Sequence, residues 1–77
     1  MTAQSSSQRV QQQGSHLYIL TLDKPGDVSG SWHGTWTPPH GATRWDALVQ
    51  LKEQIEKADP RFAGSTIAFF ALEPNQL

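Results

Sequence analysis

Two short segments of this chain are apolar at nearly every position, and only one helix is available to cover them. Leu17-Tyr18-Ile19-Leu20-Thr21-Leu22 and Ile67-Ala68-Phe69-Phe70-Ala71-Leu72 both read as strands with two apolar faces. A strand buried on one side alternates apolar with polar residues, and one buried on both sides does not. The helical pattern is confined to Thr43–Ala58, and one helix covers one face of a small sheet. The second face is therefore expected to meet another copy of the chain, a partner protein or a ligand.

The chain has 77 residues, which sets a single domain. Residues 1–15 are rich in Gln and Ser, with Val10 the one large aliphatic side chain after Met1. Such a segment buries too little to offset its chain entropy, so 1–15 is expected to be a disordered tail and 16–77 a single small α+β domain. A domain this small sits near the limit of independent stability. There is no cysteine, which removes disulfides and thiolate metal sites and leaves oligomerisation as the available support. Six Lys and Arg against seven Asp and Glu give a net charge of −1. That balance, without a basic run, argues against nucleic acid as a partner. No apolar run reaches membrane-spanning length, and the N-terminus lacks the apolar core of a signal peptide, so a cytoplasmic location is expected.

Along the chain, a strand over His16–Asp23 meets Lys24-Pro25-Gly26-Asp27. Pro presets φ and Gly accepts a positive φ, so this is a hairpin turn. The returning strand, about Val28–Thr37, places Val28, Gly30, Trp32, Gly34 and Trp36 on one face and Ser29, Ser31, His33, Thr35 and Thr37 on the other. Clean alternation suits an edge strand with one wet face. Pro38-Pro39-His40-Gly41 ends it. Thr43 with Asp46 makes a capping box for a helix whose stripe is Leu48, Leu51, Ile55 and Ala58, flanked by Trp45 and Val49. Asp59-Pro60 stops the helix. Phe62 is expected under its end, and a last strand follows over Ser65–Leu72. The first strand, apolar on both faces, belongs at the centre of the sheet.

Three groups of side chains invite a chemical reading. Trp32 and Trp36 share a strand face about 13 Å apart, and with His33 they make a candidate platform for a sugar or another small ligand. The competing reading packs both indoles on the helix, with Gly34 making room for Trp45 or Leu48. His16, His33 and His40 lack the paired spacing of a metal site. The carboxylates Asp23, Asp27, Asp46 and Glu73 are accounted for by turns, a cap and a strand end. No nucleophile with a base and no phosphate-binding glycine loop is present. The expectation is a non-enzymatic protein with no cofactor.

The order strand–strand–helix–strand over Leu17–Leu72 resembles the first part of a β-grasp, or ubiquitin-like, domain. The later short strands and the terminal diglycine of that family are missing, so the resemblance implies no conjugation. Gly41-Ala42-Thr43-Arg44 and Phe69-Phe70-Ala71-Leu72-Glu73-Pro74-Asn75 are also similar to stretches of short uncharacterised actinobacterial proteins; this likeness transfers no functional residue. The sequence thus predicts a three-stranded antiparallel sheet with one helix on one face, acting as an interaction module that pairs with itself or with another protein. Leu17, Ile19, Ile67 and Phe69 are expected to face the helix. Tyr18, Leu20, Phe70 and Leu72 are expected to form the interface, so that Phe70→Glu gives a folded monomer. A one-residue bulge would exchange the two sets.

Overall fold

A computed structural model describes residues 13–77, so most of the expected tail lies outside the described residues. Strand β1 (His16–Lys24) turns at Pro25-Gly26-Asp27 into β2 (Val28–Trp36). The turn closes with Asp27 N–H donating to the Lys24 carbonyl at 2.9 Å, and Gly26 takes φ +80°, the left-handed value a type II turn requires. Helix α1 (Arg44–Ala58) follows, then a short 3-10 turn (Pro60–Phe62) and strand β3 (Thr66–Pro74). The sheet order is β2-β1-β3 with both pairings antiparallel. This is the expected architecture, with the doubly apolar first strand in the centre.

Local chemistry explains where the helix starts and stops. Thr43 Oγ1 accepts from the Asp46 N–H at 3.1 Å, and Asp46 Oδ2 accepts from the Thr43 N–H at 3.1 Å. Two amides that lack helical partners are thereby satisfied. At the other end Asp59 N–H donates to the Ile55 carbonyl, and the Asp59 carboxylate then holds the Arg61 N–H and guanidinium. That arrangement seeds the 3-10 turn, which drives Phe62 into the core.

The core is Leu20 and Leu22 of β1, Leu51 and Ile55 of α1, and Phe62, with Tyr18, Val28, Trp32, Trp36, Leu48 and Phe70 packed around it. Ala47 and Leu72 are buried as well. The helix therefore covers the even-numbered side of β1, which is the reverse of the expected assignment. The register explains it. Leu20 pairs with Trp32 and His16 with Trp36, so the even residues of β1 share a face with the two tryptophans, and the helix buries that face. Ile67 is the exception. It pairs with Leu22 while Phe69 pairs with Thr21, which leaves Ala68 as an extra residue. This bulge turns Ile67 back to the helix side.

The N-terminal boundary also moves. Residues 13–15 cross the end of the sheet, with Gly14 N–H donating to Thr35 Oγ1 at 2.8 Å and Asn75 N–H donating to the Ser15 carbonyl at 2.8 Å. A β-carbon on Gly14 would lie 2.5 Å from the Trp36 carbonyl carbon, so only glycine permits the crossing. Strand β3 runs past its expected end through Pro74, which pairs with His16.

Candidate interaction surface

The face of the sheet away from α1 divides into a polar and an apolar half. On β2 it presents Ser29, Ser31, His33 and Thr35, and Thr21 of β1 bonds across to Ser31, Oγ1 to Oγ at 2.7 Å. On β1 and β3 it presents Leu17, Ile19, Phe69 and Ala71. Leu17 is 42%, Ile19 40% and Phe69 53% exposed. The apolar row thus lies beside the β3 edge, and the polar row beside the β2 edge.

A second apolar surface meets that edge from the helix side. Trp45, Leu48 and Val49 of α1 and Ile67 of β3 line a groove of about 270 Å³, with Lys52, Glu53 and Glu56 at its rim. Trp45 is 69% exposed. Lys52 donates to Glu56 one helical turn on, and this hydrogen bond holds the Glu56 carboxyl below the usual carboxylate range against a smaller opposing effect of burial. Near the C-terminal end of β3, Arg44 Nη1 donates to the Leu72 carbonyl at 2.9 Å.

The expected interface set falls on the covered side. Leu20 and Leu72 are buried, and Tyr18 and Phe70 pack against the core cluster. Phe70→Glu would therefore attack the fold and not give the folded monomer expected from the sequence. The exposed apolar residues are their neighbours of opposite parity on β1 and β3, together with Trp45 and Val49.

The proposed platform residues are not brought together. Trp32 and Trp36 face the helix side, while His33 faces the open side. Trp32 meets Phe62 edge to face, with ring centroids 4.8 Å apart at 85°. The space over Gly34 holds the Tyr18 ring, 3.4 Å from where a β-carbon would sit. Among the described residues no group of three metal-ligating side chains converges, and no helix is long and apolar enough to cross a membrane.

Arg44 is a surface residue that the sequence does not single out. Its role depends on a carbonyl 28 positions away, and no local pattern signals such a contact. Trp45 and Val49 were legible as the flank of the helical stripe. No protein-family model, curated protein or solved structure matches this chain. The β-grasp likeness therefore rests on element order alone.

Proposed function

We propose that the protein is a non-enzymatic interaction module that works as a homodimer through the apolar surface around β3. The observation that carries this reading is the clustering of Leu17, Ile19 and Phe69 on one side of that strand and Trp45, Val49 and Ile67 on the other, all exposed. Large apolar side chains scattered singly on a surface need no explanation, but a contiguous set beside an open strand edge marks an association site. The size of the domain supports the same reading, because pairing supplies the burial that so short a chain lacks.

Light scattering on a sizing column, over a hundredfold concentration range, tests it. Twice the chain mass at the upper concentrations is expected, and Phe69→Lys is expected to stay monomeric with an unchanged melting temperature. A constant monomer mass at every concentration would overturn the homodimer.

A further inference from the structure

The outer edge of β3 carries a specific pattern of unpaired backbone groups. Asn75 donates directly to Ser15, in line with the pairing of Pro74 with His16 and Glu73 with Leu17. In an antiparallel ladder bonded pairs alternate with unbonded ones. Phe69, Ala71 and Glu73 therefore turn their N–H and C=O towards β1, and Phe70, Leu72 and Pro74 turn theirs outward. Past the bulge at Ala68 the parity changes, so Ile67 also points outward. One half of this edge is blunted: Pro74 has no N–H, and Arg44 occupies the Leu72 carbonyl. The other half is open, because among the described residues no side chain bonds the outward groups of Ile67 or Phe70. Thr66–Leu72 also contains no charge and no proline, the devices that ordinarily protect an edge.

Ile67 and Phe70 are three positions apart, whereas outward groups on a regular strand recur every second residue. The bulge compresses that span, since Leu22 and Leu20 of β1 stand opposite Ile67 and Phe70 from the inner side. A second β3 running antiparallel matches both outward groups, since it carries the same spacing in reverse. About a two-fold axis between Ala68 and Phe69, Phe70 of each copy meets Ile67 of the other. The helix is disposed to follow. Arg44 is level with Leu72, and Glu56 accepts from the Gly64 N–H just before β3, so α1 runs antiparallel to β3 with Val49 near the height of the axis. Trp45 of one copy then faces the Lys52–Glu53 end of the groove on the other.

From this self-complementarity we infer that two copies join edge to edge through β3, making one six-stranded antiparallel sheet with Trp45 of each seated at the partner's groove. The inference rests on the homodimer reading and specifies its mode. It leaves the apolar rows on the open face side by side across the seam, with the two Phe69 rings flanking the axis.

Amide hydrogen exchange on the full chain, followed against concentration alongside the mass, tests it. The Ile67 and Phe70 amides are expected to slow at least tenfold as dimer forms, while the outward amides of Ser31 and His33 on β2 do not change. Ile67→Pro removes one outward N–H at an edge position that tolerates proline and is expected to abolish the dimer. Trp45→Ala, on the exposed helix flank, is expected to weaken it at least tenfold even if Ile67→Pro does not fold. A dimer whose Ile67 and Phe70 amides exchange as in the monomer would overturn edge pairing and leave the homodimer standing. Protection of these amides in a monomer, independent of concentration, would assign the edge to a segment of the same chain and overturn the pairing. A monomer at every concentration, with both amides exchanging freely, would overturn both readings.

Discussion

The two outer strands of this sheet have the same length and the same central partner, yet they solve opposite problems. Strand β2 alternates without a break. Its Val28, Trp32 and Trp36 go to the helix side and its Ser, His and Thr residues go to the open face. Strand β3 sends Phe70 and Leu72 to the helix but also sets Phe69 and Ala71 on the open face, and a bulge interrupts its ladder. The apolar side of β2 is covered within one chain. Strand β3 carries more apolar surface than one helix can cover, and that excess lies beside its open edge. Binary pattern, read strand by strand, thus separates the side chains that build the core from those left exposed beside the edge.

Substitutions in β3 can break this contrast most forcefully. Leu72→Ala, at a buried site, is expected to cost about 2–5 kcal/mol of unfolding free energy. Phe69→Ala, at an exposed one, is expected to change it by less than about 0.5 kcal/mol. Chemical denaturation of both at a concentration where the chain is monomeric checks the pair, and equal losses would erase the distinction between the two faces. Removal of the helix cap comes next. Thr43→Ala is expected to cost about 1 kcal/mol, read from the denaturation midpoint, because it frees the Asp46 amide. Arg44→Ala is expected to cost about 0.5–1.5 kcal/mol through the hydrogen bond to Leu72. It also lengthens the open edge, so the dilute protein should associate more strongly. Light scattering at matched concentrations would show this, and unchanged association would mean that Arg44 does not blunt the edge.

The smallest expected effect is a pH dependence. The Glu56 carboxyl is held below its ordinary range by Lys52, so its contribution is present above the unfolded carboxylate pKa and is lost as pH falls through the lowered value. As a partly exposed i,i+4 pair it is worth only about 0.2–0.5 kcal/mol. Glu56→Gln should flatten the acid limb of a thermal-melt series by that amount, and an identical acid limb would remove Glu56 as its source.

Much of this was decided locally and was legible in the residues. Pro25-Gly26 fixes a turn, Thr43 and Asp46 fix a helix start, and Asp59-Pro60 fixes its end, because each acts on its own neighbours. The central place of the first strand follows from its two apolar faces. The identity of the covered face did not follow, since it depends on one residue of loop length. A three-residue loop pairs Lys24 with Val28; a two-residue loop would have shifted the register by one and sent Leu17 and Ile19 to the helix.

What the sequence determined alone was therefore the set of elements, their order and the surplus of apolar strand surface. Tertiary structure decided the parity of β1 against the tryptophans, the bulge that returns Ile67 to the helix side, and the reach of Arg44 to the Leu72 carbonyl. Short-range torsional and capping preferences act within a few residues of the chain. Strand register and edge protection are settled between residues distant in sequence, where a shift of a single position exchanges one face for the other.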